Sequence, residues 1–455
     1  MKIQNILKGV LFSVLCAHAA VFAQEVKDIT LQNGMKVIVR EDCRSPVAVH
    51  MIWYRAGSMD ETSGTTGVAH VLEHMMFKGT RKYGSGEFSK RVAALGGREN
   101  AFTGQDYTAY FQQIPARQLE TMMEMEADRM KNLLLAKEEF ENEIRVVMEE
   151  RRWRIDDQPV SLLIEAVNAS AFTAHPYRWP VIGWMNDLEN MTVTDLKNWY
   201  GRWYMPNNAT LVVIGDVQAE SVFRLAQKHY GSIREGKKLA TRPQTEPEQK
   251  GARRVTVKAP AENPMLVMAF KAPSLRDIEN DTDVYALSVL EAILDGFDNA
   301  RLEAGLVRKN PVASAVDANY DPLSRGPGLF VLSATPLSST SMPELEKRLR
   351  AEIARIAREG VSEEELKRVK MQIISHQIYK RDSLMGQAME IGVLEMVEVG
   401  HQQMDHLIGK LKTVTSDDVR AVAGRYFGDD TMTVGILEPL PPDSNKRPAA
   451  APAAH

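Results

Sequence analysis

At 455 residues the chain exceeds what one hydrophobic core usually organises, so two or more domains are expected. Apolar residues make up 44% of it and charged residues 25%, values of a globular enzyme or binding protein. A net charge of −4 leaves no basic footprint and excludes nucleic acid as the expected partner.

Residues 1–23 carry Lys2 and Lys8 around the start of an apolar run from Gly9 to Phe22, which closes on Val21-Phe22-Ala23. This predicts an export signal cleaved after Ala23. A membrane anchor is the competing reading, but the run falls short of the roughly 20 residues a spanning helix needs. Leu15 disfavours lipidation of Cys16. After cleavage Cys43 is the one cysteine left, so no internal disulfide can form. No later segment is long and apolar enough to span a bilayer, so a mature chain without a membrane span is expected.

Short β-like runs at 35–40, 47–54, 265–270 and 329–334 are interleaved with helical stretches at 87–95, 119–135 and 362–379. The spacing lacks the regular alternation of a doubly wound sheet and favours α+β layers. An internal echo points to duplication. Thr192-Val193-Thr194 opens a helical stretch leading to Gly201-Arg202-Trp203-Tyr204 and a strand-like run at 209–214. About 220 residues later, Thr413-Val414-Thr415 leads to Gly424-Arg425-Tyr426-Phe427 and a run at 432–436. Residues 236–253, rich in Lys, Gln, Glu, Thr and Pro, read as an exposed linker between a domain at 24–235 and a related one at 254–438. The Pro/Ala-rich tail at 439–455 has too little apolar surface to order and is expected to be disordered.

The chemistry concentrates on His70-Val71-Leu72-Glu73-His74. Thr65 or Thr66 can cap a helix over 67–77, on which Val68, Val71, Leu72 and Met75 share one face and His70, Glu73 and His74 the other. Imidazoles at i and i+4 reach one cation, and the carboxylate between them points into the same space as a base. A catalytic zinc needs a third protein ligand. On a helix over 137–153, Glu143 and Glu150 fall on a stripe with Val147, beside Phe140 and Ile144, whereas Glu149 lies with Arg145 and Arg152 as a solvated ion-pair group. An inward carboxylate needs a partner or a metal, so Glu150 is read as the third ligand and Glu143 as the group orienting a histidine. The bland alternative is two ordinary helix surfaces.

The segment 70–74 continues as Met75-Met76-Phe77-Lys78-Gly79-Thr80. Together with Glu143 and Glu150, Gly96-Gly97, Asn100-Ala101-Phe102-Thr103, Glu149-Glu150-Arg151-Arg152 and His175-Pro176-Tyr177, it resembles the inverzincin metallopeptidases of the pitrilysin and insulinase family. The likeness is to the short-chain branch that includes the mitochondrial processing peptidase, and it covers nearly all of the mature chain. It implies two related α+β domains, each a mixed, mostly antiparallel sheet with helices packed on it. It also implies one Zn²⁺ per chain and a zinc-dependent endopeptidase acting on peptides or unfolded polypeptides, with Glu73 as general base. Residues Asn100, Ala101, Phe102 and Thr103 would form an edge strand that pairs with extended substrate.

One stretch departs from the pattern: Leu306-Val307-Arg308-Lys309-Asn310-Pro311-Val312-Ala313-Ser314-Ala315 keeps Arg308 but lacks the tyrosine of the family's Arg/Tyr pair. Short-chain members pair into a clamshell, so the resemblance implies a related subunit that supplies the Arg/Tyr pair, with a homodimer as the alternative. The simple export signal and the family's bacterial members favour a periplasmic location. Two rival readings stay open: a non-catalytic scaffold of the same fold, and a peptide-binding module using zinc structurally.

Overall fold

A computed structural model describes residues 25–237, 244–297 and 299–441. The export segment lies outside the described residues, as does the tail from 442 onward. Strands β1 (Val26–Thr30), β2 (Lys36–Glu41), β3 (Val47–Tyr54), β4 (Arg98–Thr103), β5 (Thr108–Pro115) and β6 (Ala209–Gly215) form one sheet in the order β1-β2-β6-β3-β5-β4. Strands β7 (Arg253–Pro260), β8 (Met265–Ala272), β9 (Ala313–Tyr320), β10 (Gly328–Pro336) and β11 (Met432–Leu440) form a second in the order β7-β11-β8-β10-β9.

With β1 set aside, the two orders are the same pattern. The parallel pair falls at the same place in each, β2 with β6 and β7 with β11, and every other pairing is antiparallel. The protein is therefore α+β, with two related units of mixed, mostly antiparallel sheet. Each unit's last helix before its closing strand starts with the same reciprocal cap: Thr192 with Asp195, and Thr415 with Asp418.

Strand β3 shows why its sequence is almost continuously apolar: all but its first residue are buried, because helices cover both faces of the sheet. One face is covered by helices of the first half, α1 (Val68–Met75), α2 (Glu87–Ala94), α3 (Leu119–Asn132) and α4 (Lys137–Arg151), which share one large core with it. The opposite face receives Ala388, Ile391 and Leu394 from the helix Leu384–Met396 of the second half. The exchange is reciprocal: α5 (Pro159–Ala171), from the first half, lays Leu163 and Val167 on Val267, Ala269 and Leu437 of the second sheet. Both crossings need a glycine. A Cβ at Gly392 would lie 2.0 Å from the Trp53 ring, and one at Gly435 would lie 2.3 Å from Val167. Each large side chain fully buried in these seams contributes roughly 1.5–3 kcal/mol.

Within the expected linker the described residues are mostly exposed, yet two are anchored: the Glu246 carboxylate accepts hydrogen bonds from the amides of Thr173, Ala174 and His175 and pairs with Lys271. Buried Gln249 donates to the Met432 carbonyl at 2.7 Å. Polar composition suggested solvent, but these polar groups satisfy backbone inside the seam between the halves. The tail begins later than expected, since Pro439 and Leu440 still pair with Ala259 and Pro260 at the end of β11. Cys43 is exposed and free, and among the described residues no helix is long and apolar enough to cross a membrane.

Candidate metal and hydrolytic site

Helix α1 is shorter than its periodicity suggested, and neither threonine caps it. Its N-cap is Gly67 at φ 88°, a left-handed conformation only glycine adopts cheaply. A Cβ there would lie 2.6 Å from the Ile182 carbonyl. The orphan amides are instead taken by Glu61, whose carboxylate accepts from Gly67 at 2.8 Å and Ala69 at 2.9 Å. Local cap rules look one to three residues away and could not find a cap six residues upstream. Thr66 is turned to Asp187, donating to it at 2.6 Å.

Val68, Val71, Leu72 and Met75 are buried in the first core, and the opposite face of α1 looks onto α4. Of that helix, Phe140, Glu143, Val147 and Glu150 are buried, whereas Glu149 is exposed and paired with Arg152. His70 Nε2 lies 3.8 Å and His74 Nε2 3.3 Å from the same Glu150 oxygen, Oε2. One donor atom from each of the three falls within 4.8 Å of the others. Tetrahedral zinc with bonds of about 2 Å needs donors about 3.3 Å apart, so small side-chain movements suffice, and two imidazoles with a carboxylate form a donor set suited to zinc.

The groups around these donors hold them in place. Glu143 bridges His74 Nδ1 at 2.9 Å and Lys78 Nζ at 2.6 Å, fixing the ring so that Nε2 faces Glu150. Arg154 Nε lies 3.0 Å from the other Glu150 oxygen, reaching back from the π-helical turn Arg152–Asp156 that follows α4. Its i,i+4 spacing was legible in the sequence. Among the described residues His70 Nδ1 is buried without a hydrogen-bond partner, so no hydrogen bond ties that ring to its present orientation.

Electrostatics suit a cation. Burial holds the His70 imidazole down to about 3. For His74 burial pulls the same way, but hydrogen bonds to Glu143 and Glu150 outweigh it and raise the ring to about 9. Glu143 falls to about 2 despite its burial, because His74 and Lys78 hold its ionised form. Glu150 is lowered for a similar reason, burial being outweighed by His74 and then His70. At neutral pH the site is thus a neutral imidazole, a proton held on His74, and two carboxylates, a charge pattern that a divalent ion can take over. Glu73 differs: burial raises its carboxyl above the ordinary range, against a hydrogen bond from Thr103 that lowers it.

Residues 100–103 lie in β4, the edge of the first sheet, hydrogen-bonded on one side to β5. Alternation sends Phe102 to the Trp53 side, with ring centroids 5.6 Å apart, and Thr103 to the α1 side, where its hydroxyl donates to Glu73 at 2.5 Å. Asn100 folds back to accept from the Ala101 amide. Arg308 is engaged in its own half, exposed in the turn Glu303–Lys309 and hydrogen-bonded to Glu303 and Asn299.

Residues 36–183 match the family model described as Insulinase (Peptidase family M16), and residues 190–373 match the one described as Peptidase M16 inactive domain. The chain is 31% identical over 442 residues to the zinc protease PqqE of Helicobacter pylori, covering 95% of this chain and 98% of that protein. The chain belongs to peptidase family M16. A crystal structure of a protease from Helicobacter pylori superposes on this M16 chain with a TM-score of 0.86 at 30% identity, over 91% of this chain and all of that one. The periplasmic protease PqqL of Escherichia coli shares the fold, with a TM-score of 0.78 at 19% identity; 91% of this chain corresponds to 47% of PqqL. Every candidate ligand and Glu73 fall within the insulinase-type match, and the inactive-domain match begins after them.

Proposed function

We propose that this M16 chain is a zinc-dependent endopeptidase for peptides or unfolded polypeptides, with His70, His74 and Glu150 as ligands and Glu73 as general base. The observation that carries the proposal is convergence: two imidazole nitrogens meet one carboxylate oxygen, with Glu73 beside them and hydrogen-bonded to the last residue of an edge strand.

Bound zinc supplies a Lewis acid that acidifies water and polarises a peptide carbonyl. The chain's own residues do the rest. The unpaired side of β4 at Asn100–Thr103 accepts an extended peptide as an added strand, which sets the scissile bond alongside Glu73. The Glu73 carboxylate takes a proton from the attacking water and returns it to the leaving amine. Thr103, donating to Glu73, aims that carboxylate, while Glu143 and Lys78 hold the His74 ring. A second subunit resembling this one and carrying an Arg/Tyr pair would close the chamber, with a homodimer as the alternative; the PqqL chain, about twice the length matched here, supports such pairing. The N-terminal pattern of residues 1–23 and the likeness to a periplasmic protease support export to the periplasm.

Purified zinc-loaded protein is expected to cleave a quenched unstructured peptide. The Glu73→Gln variant should retain zinc and lose roughly 10²- to 10⁴-fold in rate. Wild-type turnover by Glu73→Gln would overturn the assignment. Zinc binding with no turnover by the wild type alone would favour the obligatory second subunit.

A further inference from the structure

The motif His175-Pro176-Tyr177 has no part in the hydrolysis described above, yet it lies where the two halves meet. The hairpin loop between β9 and β10 is the second half's equivalent of the loop between β4 and β5, and the two loops touch. Arg325, on the former, donates from its backbone amide to Asp106 Oδ2 at 3.1 Å and from its guanidinium to the Asp106 carbonyl at 2.9 Å. The same guanidinium grips Asp60 with two bonds, at 2.7 and 3.0 Å, and the two side chains are 7% and 6% exposed. Tyr177 completes the junction: its hydroxyl donates to Asp106 and accepts from the Gly326 amide. Only glycine fits at 326, where a Cβ would lie 2.3 Å from the His175 ring.

What Arg325 holds leads directly to the site. Asp60 belongs to the short turn Ser58–Asp60, and the next residue, Glu61, is the cap of the metal helix. That turn is stitched to the end of β4 by the Ser58 amide donating to the Gly104 carbonyl at 3.1 Å and the Met59 amide donating to the Gln105 carbonyl at 2.9 Å. Gly57 permits the close approach, since a Cβ there would lie 2.4 Å from the Gln105 carbonyl oxygen. Asp106, the other residue held by Arg325, stands three positions after Thr103, the donor to Glu73. One arginine from the second half therefore clamps the cap of α1 and the end of β4 onto each other.

We propose that Arg325 is a positioning residue for the hydrolytic site, acting through Asp60 and Glu61 on the metal helix and through Asp106 on the strand that aims Glu73. It rests on the peptidase reading for its effect on turnover, but its effect on the clamp does not depend on that reading. A bidentate, desolvated pair has one geometry, and a flexible ammonium cannot reproduce it. The second half thus sets the spacing between the metal helix and the substrate strand without touching either ligand or substrate.

The test compares full-length wild type with Arg325→Met and Arg325→Lys. In metal-free protein, amide exchange at Gly67 and Ala69 and across residues 103–108 is expected to accelerate about tenfold or more in Arg325→Met, while β6 keeps its protection. Zinc affinity should fall about tenfold, and kcat by roughly a hundredfold with KM nearly unchanged, because misplacing the base relative to bound substrate costs turnover rather than binding. Arg325→Lys, which keeps charge but loses the second bond to Asp60, should fall between. Uniformly faster exchange with wild-type zinc affinity and kcat would make the pair a simple staple and overturn the proposal. Should Arg325→Met fail to fold, Asp60→Asn, which keeps shape and drops charge, gives the same two answers. If the wild type proves inactive, the exchange and zinc measurements still decide the proposal separately from the peptidase reading.

Discussion

The sharpest quantitative expectation concerns Glu143→Gln. Glu143 affects zinc binding in two opposed ways. By holding His74 Nδ1 at 2.9 Å it orients the ring and makes it a better ligand, and loss of such a partner typically weakens metal binding about 10- to 100-fold. It also raises the His74 pKa, which burial alone would lower, to about 9, so at pH 7 a proton competes for the same ring. Two pH units of competition correspond to ~2.7 kcal/mol, about a hundredfold in apparent affinity. Removing the Glu143 charge lowers the His74 pKa and relieves part of that competition, the rest being sustained by Glu150 and Glu73. The two effects therefore oppose each other at pH 7. At pH 9 competition is almost gone in both proteins and the lost orientation stands alone. Chelator-competition titrations should therefore find the variant's deficit smaller at pH 7 than at pH 9, where it reaches about 10- to 100-fold. A ratio that stays constant with pH, or one that shrinks as pH rises, would refute this account of Glu143.

The remaining expectations concern stability and the metal helix. Gly392→Ala drives a methyl into Trp53, 2.0 Å away and fully buried, and should cost ~1–3 kcal/mol in urea unfolding; an unchanged midpoint would mean the helix Leu384–Met396 is not packed as described. Glu61→Gln leaves one of the two capped amides, Gly67 or Ala69, without an acceptor, an expected loss of ~1–3 kcal/mol accompanied by weaker zinc binding, read by thermal melts with and without metal. The pH dependence of the metal-free protein follows from His74. A folded pKa raised from 6.5 to about 9 contributes stability that is full below 6.5 and disappears as pH rises through 9, so the melting temperature should fall between pH 7 and 9. Glu291, raised by burial and then by Asp295 and Asp317 to about 7, still loses its proton in the lower part of that window and lowers stability in the same direction, so the melts are read in a Glu291→Gln background, where the fall through 9 belongs to His74. A melting temperature flat or rising from pH 7 to 9 would count against a protonated His74.

The parts of the site that lie on regular helices were legible in the sequence, because helical phase alone sorts their faces. On α1 the apolar residues are buried and the polar ones look onto α4, while on α4 Glu143 and Glu150 separate from Glu149. The two helix starts near 192 and 415 were legible as local chemistry, although the Thr-Val-Thr echo matches Thr192 with Thr413, whereas the equivalent caps are Thr192 and Thr415. Groups acting across loops were not. Glu61 caps from six residues away, Arg325 reaches Asp60 across 265 positions, and Glu246 turns a polar segment into a backbone anchor. The exchange of α5 and the helix Leu384–Met396 between sheets was also hidden. Apolar residues at helical spacing say that a face is buried, not which sheet buries it.

The duplication explains why only one half carries candidate chemistry. In each unit a helix follows the strand at the middle of the sheet: α1 after β3, and Thr282–Leu294 after β8. On α1 four apolar residues occupy one face and leave the other for His70, Glu73 and His74. The counterpart buries Val284, Tyr285, Ala286, Leu287, Val289, Leu290, Ala292, Ile293 and Leu294, residues that run around its circumference. Its one polar stripe, Ser288, Glu291 and the C-cap Asp295, carries no imidazole and so lacks the pair of nitrogen donors that α1 presents. Relieved of that requirement, the second half's hairpin between β9 and β10 could take Arg325 into the first half's loops, where a catalytic edge would have needed to stay open for substrate. The corresponding hairpin of the first half ends in Asp106 and Tyr107, and Asp106 receives that arginine. Equivalent loops of the two units thus meet through Arg325, which bonds the Asp106 carbonyl and pairs with Asp60, and the second half is tied to the first at the two turns next to α1 and β4.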